Sequence, residues 1–298
     1  RSVSAFLLNR SSDLAMLTTN LHNASTALDN ASKALAPVSA AAGAALGASI
    51  KLASDFETSM AKVSTIADES VMSIGDMSSA VVDMSNETGI AATDIAESVY
   101  SAISAGQDTA DAVQFVGSAT KLAKSGFADV GVSLDVLTTI LNAYGMEAEK
   151  VTDVSDKLIT TQNLGKTTVA ELASSMGKVI PTANMYGVNL DNIASAYVTT
   201  TKNGIATAES TTYINSMLNE LGKSGSTVSG ILQEETGKTF KELMDSGMSL
   251  SDVLGIVGGV ADRTGQSVGD MFSSQEAGKA AATLIQHTED FDDALKQI

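Results

Sequence analysis

The 298-residue chain has no cysteine and no tryptophan, only 2 prolines and 2 histidines, and just 4% aromatic residues. Without cysteine there is no disulfide scaffold and no thiolate metal site, and the sequence carries no sign of a redox compartment. So few aromatics disfavour a β-sandwich and a groove that stacks bases. Basic residues are scarce too: 18 Lys and Arg stand against 35 Asp and Glu, a formal net charge of −17. That balance argues against wrapping DNA or RNA, because binding phosphates needs basic patches. The start at Arg1 rather than Met reads as a processed or partial product. The basic start lacks the apolar core that a secretory signal needs.

What is present is apolar but mostly small. Hydrophobic residues make up 44% of the chain, carried by Ala, Leu, Val, Ile and Met. That fraction is too high for a disordered acidic chain. Small residues with almost no proline predict an all-α protein, with helices packed on Ala and Leu. Length alone would suit about two ordinary domains.

The first fifty residues carry the clearest period. Leu7, Leu14, Leu21, Leu28 and Leu35 recur every seven residues, and Arg10, Leu17, Ala24, Ala31 and Val38 follow each by three. This is the heptad pattern of a coiled coil, with several small residues in the second position. It predicts an oligomer seam at Leu7, Leu14, Leu17, Leu21, Leu28 and Leu35, or else one amphipathic helix packed on its own domain. Arg10 breaks the pattern and belongs at a fraying end or rim. Flanking positions are mostly Ser, Thr and Asn, so charged pairs do not set partner choice.

The stretch from Ala34 to Ile50 is uncharged and holds Gly43 and Gly47 in G-x-x-x-G spacing, with Pro37 expected to kink its start. Two readings apply: a small-residue packing helix, or a segment that enters a membrane under some condition.

From Phe56 onward short apolar helices alternate with Gly-centred turns. A loose repeat places Gly89, Gly165 and Gly237 at intervals of 76 and 72 residues, each followed by a helix start. Thr168 with Glu171, and Thr239 with Glu242, have the T-x-x-E spacing of a capping box. Each helix is expected to run to a second glycine, Gly106, Gly187 or Gly247. Asp108, Asn189 and Ser249 then stand as N-caps for the next helix. The expected organisation is a heptad and Ala-rich helix over 1–54, a helical core of short hairpins over 55–225 and a C-terminal helical segment over 226–298. The run Val198-Thr199-Thr200-Thr201 is continuous with a helical period.

No string that hints at chemistry survives inspection. Gly165-Lys166 and Gly237-Lys238 lack the earlier glycine of a P-loop, since Thr160 and Leu232 occupy that place. Gly265-Gln266-Ser267-Val268-Gly269 spells the nucleophile-elbow string, but no strand pattern precedes it and the only later histidine is His287. The S-x-x-K strings at Ser59, Ser118 and Ser175 lack their companion motifs. His22 and His287 have no ligand at helical spacing, and Asp290, Asp292 and Asp293 lack the EF-hand ladder. Met72, Met77 and Met84 read as gap fillers between helices. The reading is of no enzyme, no cofactor and no metal.

The ordered segments from Phe56 to Leu221 resemble the core region of phage tail tape measure proteins. The resemblance is carried by Asp55-Phe56 through Met60-Ala61-Lys62-Val63, Thr88-Gly89 through Asp94-Ile95-Ala96-Glu97, and Ala105-Gly106. It continues through Lys121 to Gly126 (a helix and its stop), Leu141-Asn142-Ala143-Tyr144-Gly145, and Val151-Thr152-Asp153-Val154. Val169 to Ala173, Gly187-Val188 through Ala194, and Asn203-Gly204-Ile205 complete it. Where the family often has Ala-Gly-Thr and then a basic residue, this chain has Glu209-Ser210-Thr211 and Asn215. The resemblance implies a structural protein in the lumen of a phage or phage-like tail. Such a protein sets tail length as a multi-copy helical ruler of three or six copies and leaves with the DNA on infection. Implied partners are further copies of the chain, tail tube and tail tip or baseplate proteins, and DNA passing without specific binding. The host membrane is a further candidate on ejection. The implied location is the virion, with the host envelope during infection. The turns and caps the resemblance singles out are Gly89, Gly106, Gly165, Thr168, Glu171, Gly187 and Gly204. The alternative is a secreted helical interaction module or toxin translocation domain.

Overall fold

A computed structural model describes the backbone from residue 39 and the side chains from Lys51 to Ile298. The seam expected at Leu7, Leu14, Leu17, Leu21, Leu28 and Leu35 lies outside the described residues, as do His22 and Pro37. The chain divides into two compact units, 1–58 and 59–298.

Every regular element among the described residues is helical, as an all-α chain requires. Helix α1 spans Ser39–Ser64, α2 Ile74–Thr88, α3 Ala92–Ser104, α4 Thr109–Gly126 and α5 Val130–Tyr144. A 3-10 turn at Ala148–Lys150 leads into α6, Val151–Leu164. Then come α7 (Val169–Met176), α8 (Ile180–Met185), α9 (Leu190–Lys202) and α10 (Thr207–Gly222). The last are α11 (Thr227–Thr236), α12 (Phe240–Asp245), α13 (Leu250–Thr264), a 3-10 turn at Val268–Met271, α14 (Gln275–Gln286) and α15 (Thr288–Gln297). No helix among the described residues is long and apolar enough to cross a membrane.

Unit 59–298 is built outward from α9, which packs on α6, α10, α14 and α15. From Asn192 to Thr201 every residue of α9 is buried. Its β-branched run would suit a strand by propensity, but burial among helices decides otherwise. The hydroxyls of Thr199, Thr200 and Thr201 donate to the carbonyls of Ser195, Ala196 and Tyr197 at 2.9, 2.8 and 2.7 Å. These three buried hydroxyls are thus satisfied within their own helix, unlike that of Ser195, and the methyl groups are left for packing. Before α9, α4 packs on α2, α3, α5 and α6, and after it α10 lies along α14.

Two helix ends differ from the sequence expectation. The helix capped by Thr168 does not run on to Gly187: it stops at Met176 and resumes as α8. Pro181 has no N–H to bond the Gly177 carbonyl, so the ladder fails there, and Lys178 and Val179 bond three residues back instead. The second difference concerns Gly126, expected at the stop of its helix. It is the last helical residue of α4, buried where a Cβ would lie 2.6 Å from Val169 Cγ2. The left-handed stop falls to the next residue, Phe127, at φ 52°.

Candidate functional site

The turn between α6 and α7 meets the turn between α9 and α10 in a polar knot whose threonines Thr167, Thr201 and Thr207 are buried and whose capping pair, Thr168 and Glu171, is exposed. Gly165 is extended there, with φ −93° and ψ 178°. Its role is closeness: a Cβ would stand 2.9 Å from the Thr161 carbonyl oxygen and 3.3 Å from Val198 Cα. The Lys166 N–H donates to Thr201 Oγ1 at 3.1 Å. The buried hydroxyls of Thr167 and Thr207 are 2.8 Å apart. Thr168 caps α7 by accepting from the Glu171 N–H at 3.1 Å, and Glu171 Oε2 accepts from the Thr168 N–H at 3.0 Å. The same carboxylate oxygen accepts from the Thr207 hydroxyl at 3.2 Å. One capping carboxylate therefore closes its own helix and holds the first residue of α10. Gln162 Oε1 accepts the Val169 N–H at 2.7 Å.

Of the turn residues singled out by sequence, Gly165, Thr168 and Glu171 converge on this knot, and Gly204 lies in the facing turn at φ 89°. Gly89 and Gly106 stand at separate helix ends, with φ 78° and 98°. At Gly187 the backbone has φ 77°, so conformation requires glycine, while a Cβ would meet only the movable Asp245 carboxylate, at 2.5 Å. Thr239 with Glu242 closes a capping box on α12, and Ser249 closes one with Asp252 on α13. Asn189 caps α9 through the Asn192 N–H at 3.0 Å. Asp108 occupies the N-cap of α4 without a side-chain bond.

Other fixings join helices whose partners lie far apart in sequence. Glu220 on α10 accepts from the Ser273 N–H at 2.6 Å, and from the Ser274 N–H and hydroxyl at 2.9 and 2.7 Å. Partial burial pushes the Glu220 carboxyl up, but these bonds together outweigh it and hold it below the usual carboxylate range. Lys157 on α6 pairs with Asp191 and donates to the Ile298 carbonyl at 3.3 Å. Lys202 pairs with Asp290 on α15 at 2.5 Å. Tyr144 donates to the Val188 carbonyl at 2.9 Å. Burial first, then the Asp191 charge, push its phenol far above the ordinary range. The departure at Thr211 makes a buried bond, with the Tyr197 and Thr211 hydroxyls 2.6 Å apart.

The strings examined for chemistry occupy structural places. Ser267 caps a 3-10 turn by accepting from Asp270 N–H at 3.3 Å. His287 stands at the junction of α14 and α15. Asp290 is engaged by Lys202, and Asp293 by Lys296. Among the described residues no group of three His, Cys, Asp or Glu side chains could hold a metal ion. A hollow of about 480 Å³ open to solvent is lined by Thr236, Lys238, Leu243, Ser246, Gly247, Met248 and Asp252. Its Ser246 hydroxyl donates to the Leu243 carbonyl at 2.7 Å, and its Asp252 accepts from the Ser249 hydroxyl at 2.7 Å. Sequence reading missed Thr201, Thr207, Gln162 and Glu220. Each acts on a partner outside any local motif, Thr207 on a carboxylate 36 residues away.

What these residues build is a scaffold of helix ends stitched to one another. The model of the family described as phage-related minor tail protein matches residues 78–298, which include the whole knot. The chain belongs to this family. It is 36% identical over 265 residues to a probable tape measure protein of Clostridium phage phiCD119, covering 85% of this chain and 28% of that protein. It is 24% identical over 208 residues to a tape measure protein of Pneumococcus phage Dp-1, covering 70% of this chain and 17% of that protein. The chain thus spans under a third of the length of either relative. No solved structure matches it. The family is described as one of minor tail proteins, and both relatives as tape measure proteins of phages. The chain takes its place among structural components of phage tails.

Proposed function

We propose that this chain is part of a tape measure protein. In this reading several copies, three or six, run through the lumen of a phage tail, set its length during assembly and leave with the genome on infection. The observation that carries the proposal is the 36% identity, over 85% of the chain, to a probable tape measure protein. The physical reading supports it. A helix extends about 1.5 Å per residue, so helical arms are an economical ruler. Gly-punctuated short helices with local caps make residues 59–298 one folded part of a longer ruler, rather than the ruler's whole length.

The proposed partners follow from the same role: copies of the chain, tail tube and tip or baseplate proteins, and the host envelope as the tail empties. The net charge of −17 suits DNA moving past without being held. Quantitative mass spectrometry of purified tails tests the placement. The chain should be recovered from the tube fraction, in a copy number matching the symmetry of the tube. Its absence from purified tails would overturn the reading.

A further inference from the structure

Helices α14 and α15 meet at a single residue, His287, that nothing in the local sequence requires to bend. No glycine or proline stands between Lys279 and Ile298, so the usual helix breakers are missing. His287 has φ −117° and ψ 40°, and no side chain caps α15. The helical ladder runs up to this residue and resumes past it. The His287 N–H donates to the Thr283 carbonyl at 3.1 Å, and the Phe291 N–H donates to the His287 carbonyl at 3.1 Å. At the joint itself the Thr288 hydroxyl donates to the Ile285 carbonyl at 2.7 Å.

Packing causes the bend. Glu220 holds Ser274, and Lys279 Nζ lies 5.5 Å from the centre of the Tyr213 ring, so α10 and α14 run antiparallel. That register sets Thr207, the first residue of α10, level with the end of α14. Beyond the joint α10 offers no cover, and α15 turns onto α9 instead. Phe291 and Ala294 are buried there at 0% and 2% exposure, and Asp290 pairs with Lys202 at the end of α9. The sequence nevertheless suits a straight course. Ala277, Leu284, Phe291 and Ile298 recur in sevens, and Ala281, Thr288 and Leu295 follow the first three by four. One unbroken helix would carry them through the joint as a single stripe.

We infer that α15 is a latch, which opens at His287 as an intact helix. Closed, it covers one side of α9. Open, it restores the ladder through the joint and joins α14 in one helix about 35 Å long. That movement uncovers α9 and carries Phe291 past the start of α10. The exchange sets regained backbone bonds against the burial of Phe291 and the Asp290–Lys202 pair. The latch is a property of the folded unit 59–298 and does not depend on a tail.

The absence of cysteine allows two spin labels to be placed by substitution alone. Glu276→Cys and Lys296→Cys, both at exposed positions, carry them in the full 298-residue chain. A straight helix sets these two Cα atoms about 30 Å apart, and the bent form sets them closer. Pulsed electron paramagnetic resonance should show mainly the shorter distance. Phe291→Ser removes the buried anchor and should raise the population near 30 Å at least fivefold, with helicity by circular dichroism unchanged. Adding His287→Gly and Thr288→Gly should scatter that peak, because glycine disfavours a helix through the joint. An unchanged short distance in Phe291→Ser would overturn the latch. So would a broad spread of distances, which would mean that α15 unravels. A narrow 30 Å peak that survives the two glycines would remove the hinge from His287. Should Phe291→Ser fail to fold, Asp290→Lys sets like charges against Lys202 and puts the same question at the surface.

Discussion

Glu171 Oε2 receives the Thr207 hydroxyl at 3.2 Å while it also closes the N-terminus of its own helix. One oxygen thus couples the start of α7 to the start of α10. Removing it should cost more than an ordinary cap. Glu171→Ala is expected to lower stability by about 2 kcal/mol, because the Thr168 N–H and the Thr207 hydroxyl both lose their charged acceptor while the Thr168 hydroxyl still caps the helix. Thr207→Val should cost about 1 kcal/mol, and the double variant less than the sum, because the two changes share one interaction. Urea unfolding midpoints of the four proteins measure this. Strict additivity would show that the knot does not act as a unit.

The helices and the local caps were legible in the sequence because their causes are local. Thr168 and Glu171 are three residues apart, as are Thr239 and Glu242, and that spacing states the bond. The knot was not legible, because Thr207 and Thr201 reach it from a turn about forty residues downstream. The break at Gly177 follows from Pro181 four residues on, a local cause that overrides the glycine repeat pointing to Gly187. At Gly126 no local pattern marks the glycine as the place where Val169 packs close, with the stop passed to Phe127.

A pair of glycines separates packing from propensity. On α10, a Cβ at Gly222 would lie 2.1 Å from Tyr186 Cε1, whereas at Gly230 on α11 nothing stands within 4 Å. Gly222→Ala should destabilise by about 1–3 kcal/mol through overpacking. Gly230→Ala should stabilise by about 0.5–1 kcal/mol, because alanine loses less backbone entropy in a helix. Thermal melts of both variants should move in opposite directions.

Phe127 is 92% exposed and left-handed, so its side chain loses nothing in packing when replaced. Phe127→Asn should stabilise by about 0.5–1 kcal/mol, since asparagine adopts this backbone region at lower cost than phenylalanine. A lowered denaturation midpoint would mean that the ring is engaged in the folded chain.

Acid should weaken the attachment of α14. The folded Glu220 carboxyl lies below its ordinary value, so its contribution is fully present above the unfolded pKa near 4.3 and is lost as pH falls through the folded value. Glu220→Gln should therefore lower stability at pH 7 by about 1 kcal/mol and by much less at pH 3. Denaturation curves at the two pH values decide it. An equal loss at both would show that charge at Glu220 plays no part.

Tail length in the assembled virion tests the central claim most directly. In-frame deletions of increasing size, made in the helical regions of the full-length protein, should shorten tails by about 1.5 Å per residue removed when measured by electron microscopy. Tails that keep one length across the series, while still containing the shortened protein, would contradict the account.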